Sequence, residues 1–266
     1  MQATSIDEVI TALQTIIDDS KKSDNRLGYF AVLYYKVTAS VRDGIRNGQF
    51  QDGPRMEKLD VIFANRYLEA YTLWQQGAEP SACWKFAFET AKRSSPLILQ
   101  HLLLGMNAHI NLDLGVAAVE VSGDKPMQDL HNDFNMINTI ISSLTYQVLS
   151  EIDRLSPLLS LLGLHAGNSN SVLIQFSIDN ARDGAWCFAE ELYAKTITDR
   201  PTEIKARDQN VLAIGKSLIN QTGFLRFTVW LIHLFEWKNP AKVIELLQED
   251  QKKYFSVDDK MEVKAG

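Results

Sequence analysis

Cysteine is nearly missing from this chain, with 2 among 266 residues. That excludes a disulfide framework. Cys83 and Cys187, each set among apolar residues ("SACWKFAF" and "GAWCFAEEL"), are expected to be buried free thiols in a reducing, cytoplasmic setting. Proline (7) and glycine (14) are sparse and nowhere gather into a linker, so the sequence offers no seam between two domains. A surplus of positive charge is missing as well: 27 Lys and Arg against 33 Asp and Glu leave a formal charge of −6. No basic stripe interleaved with aromatics is present, and a phosphate backbone, which is held by clustered Lys and Arg, is not an expected partner.

Clean apolar runs are also lacking. Residues 94–112 and 155–178 carry no formal charge, but the first is broken by Gln100, His101, Asn107, His109 and Asn111, and the second by Pro157, Gly163 and Gly167. Neither gives the roughly 20 uninterrupted apolar residues of a membrane span, and none is expected. The start, "MQATSIDEVITALQ", puts Asp7 and Glu8 where a secretory signal needs apolar residues, so no signal peptide is expected.

What the sequence does have is helix punctuation. "SIDE" forms a capping box, Ser5 to Glu8, ahead of a helix over about 6–19. "RLGYFAVLYYKVTASVRDGI" is rich in aromatic and β-branched residues, yet its length and lack of breakers predict a helix ending near Asn47 and Gly48. Leu59, Ile62, Phe63, Tyr67 and Ala70 recur at helical spacing after Pro54, and Pro80, Pro96, Pro201 and Pro240 stand where a helix tolerates proline, in its first turn. A long helix is expected over about 128–154. The count comes to about ten helices and no repeat, which predicts one all-α, bundle-like domain over 1–255 around a buried central helix, with a loose tail at 256–266.

The central helix, about Pro96 to Glu120, contains "HLLLGMNAHINLDLG" (101–115). At 100° per residue, His109 and Asp113 share one face, and Asn107 and Asn111 share another about 160° away. An exposed helix would carry one charged stripe, whereas this one is polar on two sides and apolar between them, so its polar groups are expected to be buried. Each then needs a partner, because an unpaired buried polar group costs roughly 1–3 kcal/mol. The next helix, "DLHNDFNMINTI", offers His131, Asp133, Asn135 and Asn138, and the short connection predicts that the two pack as an antiparallel hairpin. Arg66 and Arg182 are the cations set among core-type residues that can satisfy Asp113.

"LLGMNAHINLDLG", "DFNMIN" and, more loosely, "FQDGPRMEKLDVIFANRYLEAY" resemble an uncharacterised family of helical proteins from bacteria and fungi, a domain of unknown function. The resemblance covers about half the chain. It implies a shared fold and a shared polar centre with His109, Asn111, Asp113, Asp133 and Asn138 at motif positions, and it carries no catalytic roles.

Several readings of that centre follow. As an enzyme site, His109, Asp113 and Asp133 are the catalytic candidates, with Arg66, Asn107, Asn111 and Asn138 to bind a small substrate. With His109, Asp113 and His131 as ligands, joined by Asp133 and with His101 more distant, it would hold Zn or Fe for a hydrolase or oxidoreductase. No H-E-x-x-H or paired E-x-x-H motif is present. Alternatively the polar centre fixes helix register, and the chain is non-catalytic, binding an apolar, lipid-like ligand or a protein partner through the 155–178 stretch and "FLRFTVWLIHLFEW".

Overall fold

Ser5 accepts the Glu8 backbone N–H at 3.3 Å and starts α1, Ile6–Lys22, three residues longer than expected. The Glu8 carboxylate turns chiefly to the Thr4 N–H and hydroxyl, at 2.7 and 2.8 Å, with a weaker pull from the Ser5 N–H. The ambiguous aromatic segment is α2, Leu27–Arg46, because its Val, Phe and Tyr residues have neighbouring helices to pack on. Asp52 caps α3, Gly53–Gln75, with Pro54 in the first turn. α4 is Ala82–Ala91 and α5 is Ile98–Ala108; Pro80 and Pro96 lie just ahead of them. Then come α6, Gly115–Ser122, and α7, Gln128–Leu155. A 3₁₀ turn at Leu159–His165 leads to the short α8, Val172–Gln175. The chain continues through α9, Ile178–Tyr193, α10, Arg200–Ile219, α11, Gly223–Phe235, and α12, Pro240–Gln248.

This computed structural model describes residues 2–167 and 171–249, without the side chains of residues 142, 143, 145–147, 149 and 174. The described residues form one all-α domain of twelve α-helices, with no strand among them. The expected tail at 256–266 lies outside the described residues.

α5 and α6 are one rod, joined by a π-helical segment, His109–Leu114. This rod is long and apolar enough to cross a membrane by composition, but 89% of its most apolar stretch is buried inside the fold. Two glycines let its neighbours approach. A Cβ on Gly105 would meet the Phe30 ring of α2 at 2.4 Å, and one on Gly115 would meet Phe188 at 2.6 Å and the Ala185 carbonyl of α9 at 2.9 Å.

The expected hairpin of the rod with α7 is not what forms. α9 runs along α6 and the π segment, and α10 along α5, whereas α7 lies chiefly against α2 and α12 and comes nearest the rod at α5. The reason is steric: Gly115, Ala117 and Ala118 give the rod a narrow face that the Ala185 and Ala189 side of α9 fits more closely than the Leu130, Phe134 and Ile137 side of α7. Of the two cysteines, Cys83 is buried as expected and Cys187 is exposed, because Cys187 falls on the outer face of α9 between the inward-facing Trp186 and Phe188.

Candidate functional site: a histidine–aspartate pair beside an apolar cavity

The π segment places His109 and Asp113 one turn apart, 3% and 2% exposed. π turns break the regular hydrogen-bond register and recur at functional positions. Asp113 gathers donors from three elements. Arg66 Nε of α3 donates to Oδ1 at 2.9 Å, Trp84 Nε1 of α4 donates to Oδ2 at 2.8 Å, and His109 Nδ1 stands 3.2 Å from Oδ2. Burial pushes the Asp113 carboxyl up, but Arg66, His109 and Trp84 together outweigh it and hold the group below its ordinary value. For His109, burial is the dominant influence and lowers the imidazole against the pull of Asp113.

An ionised carboxylate only accepts, so the contact to Asp113 fixes the proton of neutral His109 on Nδ1 and leaves Nε2 with its lone pair. That Nε2 is buried and has no hydrogen-bond partner among the described residues. The ring stacks on Phe63 at 3.6 Å and meets Tyr34 edge-on at 4.4 Å, inside an aromatic box that also includes Phe30, Tyr67 and Trp84. Asp60 Oδ2 is likewise buried without a partner among the described residues, and the Tyr34 hydroxyl is buried with only the Thr38 hydroxyl of its own helix beside it, outside good hydrogen-bond geometry. Burial, then Glu57, raises the Asp60 carboxyl to about 7, and burial, then Asp60, raises the Tyr34 phenol well above its ordinary value.

These three residues line a cavity of about 290 Å³ bounded by α2, α3, α5, the π segment and α7, and closed by Phe176, Ile178 and Arg182. Its other walls are Leu, Ile, Val, Phe and Met. Along α7 they run from Ile137 through Ile141, Leu144 and Val148 to Ile152, a length of about 22 Å at the helical rise. The cavity is therefore long and greasy, with few polar groups in its walls.

The rod's opposite face is finished. Gln100 donates to the Leu218 carbonyl at 2.8 Å and Asn107 to the Val211 carbonyl at 2.9 Å, both on α10, while Asn111 donates to Asn107 at 3.1 Å. Arg207 Nε donates to the Asn111 carbonyl at 2.8 Å. Asn107 and Asn111 thus tie the rod to α10 and do not line the cavity.

The remaining candidates scatter. Arg66 is spent on Asp113. Asp133 is buried but accepts the backbone N–H groups of Gln51 and Asp52 at 2.7 and 2.9 Å, which fixes the turn into α3, and it does not line the cavity. His131 packs its ring on Trp186 of α9, 4.6 Å between centroids, and bonds Asn135; with α7 swung away from the π segment it does not join His109 and Asp113. His101 packs edge-on against Tyr29 and is driven down to about 3, first by burial. Among the described residues no three His, Cys, Asp or Glu side chains gather as a metal-holding group, so the ligand set expected for Zn or Fe is not assembled. Asn138 accepts from Arg182, a cavity-wall residue named in the sequence only as a partner for Asp113. Asp60 and Tyr34 were missed, although the apolar stripe 137, 141, 144, 148 and 152 marks the wall they oppose.

The profile of the family of unknown function DUF5995 matches residues 6–221. No curated protein and no solved structure gives a significant match.

Proposed function

We propose, for a chain that belongs to the family of unknown function DUF5995, that it binds a small apolar molecule in the cavity and recognises a hydroxyl on it through His109 Nε2. One observation carries this reading: a buried, unpartnered acceptor whose tautomer is fixed by an ionised aspartate, on the wall of an apolar cavity. Leaving such an acceptor unpaired costs roughly 1–3 kcal/mol, a cost that a ligand hydroxyl repays. Small-molecule sites have this make-up, apolar walls with few polar groups.

Binding is favoured over proton-transfer catalysis by the direction of the His109 shift. A general base works best with a pKa near the operating pH, and burial moves this imidazole down and away from it. A metal reading would have to start from Nε2, and the described residues offer no three-ligand set around it.

The test is a binding comparison between hexadecanol and hexadecane by native mass spectrometry and displacement of an apolar fluorophore. The alcohol should bind one to one and better than the hydrocarbon. Leu144→Trp, which fills the cavity, should abolish both, and His109→Phe should erase the preference. Failure of any apolar probe to bind, or binding indifferent to Leu144→Trp, would overturn the reading.

A further inference from the structure

Arg182 is 3% exposed, set on α9 at the cavity wall. Its Nε donates to Asn138 Oδ1, its Nη2 to the Phe134 carbonyl, and its guanidinium lies 4.5 Å over the Phe134 ring. All of these partners are neutral. Burial lowers the group to about 10, so it is still a cation at neutral pH, and the acidic residues that act on it, Asp179 and Asp183, are exposed positions of its own helix. Among the described residues no carboxylate forms an ion pair with Arg182, in contrast to Arg66, which holds Asp113 at 2.9 Å. Asp60, the carboxyl group on the same cavity wall, is influenced by Glu57 and not by Arg182.

A buried charge without a counter-charge is among the most costly features a fold can hold. Its position also has a direction. Arg182 belongs with Ile137 at one end, held to Asn138 and Phe134 of α7, while the far end along α7, at Val148 and Ile152, has no polar side chain among its lining residues. The cavity between them is about 22 Å long on its α7 side.

We infer that the ligand is a long-chain carboxylic acid, its carboxylate paired with Arg182 and its chain extended between α2 and α7 toward Ile152. Guanidinium matches carboxylate in planar geometry, and Arg182 keeps Nη1 uncommitted to any other described residue. Together with the preceding reading, on which this inference rests, the class narrows to long-chain acids with a hydroxyl part-way along the chain, where His109, Tyr34 and Asp60 stand.

The experiment measures binding of palmitate and methyl palmitate to the full chain at pH 7.5, on the native protein and on Arg182→Met and Arg182→Lys. The native protein should favour the acid by about tenfold or more. Arg182→Met should lose that preference while still binding the ester, and Arg182→Lys, which keeps the charge, should restore part of it. A Met variant that no longer binds the ester has lost its fold, and the Lys variant then decides alone: acid preference retained supports the pairing, and preference lost contradicts it. Equal affinity of the native protein for acid and ester would overturn the inference and leave the apolar site standing. If neither probe binds, the underlying cavity reading fails with it.

Discussion

The two polar faces of the central rod are built from the same kinds of residue and end differently. On the α10 side, Gln100, Asn107 and Asn111 each find a partner within 3.1 Å, two of them backbone carbonyls, and nothing is left over. On the other side, Asp113 is saturated by three donors, yet its neighbour His109 keeps one nitrogen without a partner, beside a cavity where Asp60 keeps an oxygen in the same state. Structural hydrogen bonding closes on itself, whereas a recognition site keeps unpaired groups in reserve for its ligand. The difference between the faces is thus what the proposed binding role rests on.

The comparison makes graded predictions. The largest effect belongs to Asp113→Ala, which leaves the Arg66 cation, the Trp84 N–H and the His109 N–H without their acceptor. A loss of about 3–5 kcal/mol is expected in urea unfolding, and a loss under 1 kcal/mol would mean that the aspartate is not the hub described. On the finished face, Asn107→Leu leaves the Asn111 amide without its acceptor and removes the tie to the Val211 carbonyl, which keeps its own helical bond within α10, and should cost about 1–3 kcal/mol. His109→Phe preserves the stacking on Phe63 and removes the unpartnered Nε2, but it also takes away the Nδ1 donor of Asp113, which Arg66 and Trp84 continue to hold, so it should cost about 1–2 kcal/mol, less than Asp113→Ala. A cost equal to that of Asp113→Ala would contradict the aspartate's place as the hub.

Asp60 supplies a pH signature. Its folded-state value, about 7, lies above the ordinary 3.8, so the fold favours the protonated acid. The stability this contributes is fully present below 3.8 and is lost as pH rises through about 7. Glu236, raised also to about 7 by burial, acts in the same direction, and the difference between the native chain and Asp60→Asn isolates Asp60. The advantage of the Asn variant should grow between pH 5 and pH 8; parallel profiles of urea midpoints would count against a buried, unpaired carboxyl. The smallest effect is expected for His131→Ala, a partly exposed ring on Trp186, at about 0.5–1 kcal/mol with apolar-probe binding unchanged.

Much of the architecture was legible because helix ends are written locally. Ser5, Asp52 with Pro54, and Asn239 with Pro240 mark their helices by residues within one turn of the cap. That the rod is polar on two sides and enclosed was also readable, since a segment free of Lys, Arg, Asp and Glu from 94 to 112 has no solvent face to offer. What escaped were the long-range choices. Which helix packs on the rod depends on the fit of Gly115 and Ala118 to α9, and that is a property of two surfaces and not of either sequence alone. Placing α7 there by chain order brought His131 and Asp133 into a site they do not share. The π segment has no residue signature, and the cavity exists only because α2, α3, α5 and α7 fail to close on one another.

The central claim is that neutral His109 carries its proton on Nδ1 and holds Nε2 open for a ligand. The ¹⁵N resonances of the His109 ring test it most directly, measured in the free protein and after loading with hexadecanol. The free protein should show a protonated Nδ1 and a Nε2 lone pair without a hydrogen bond, and loading should move the Nε2 resonance toward the hydrogen-bonded position. A proton on Nε2 in the free protein, or a Nε2 resonance that stays put while the alcohol binds, would contradict it.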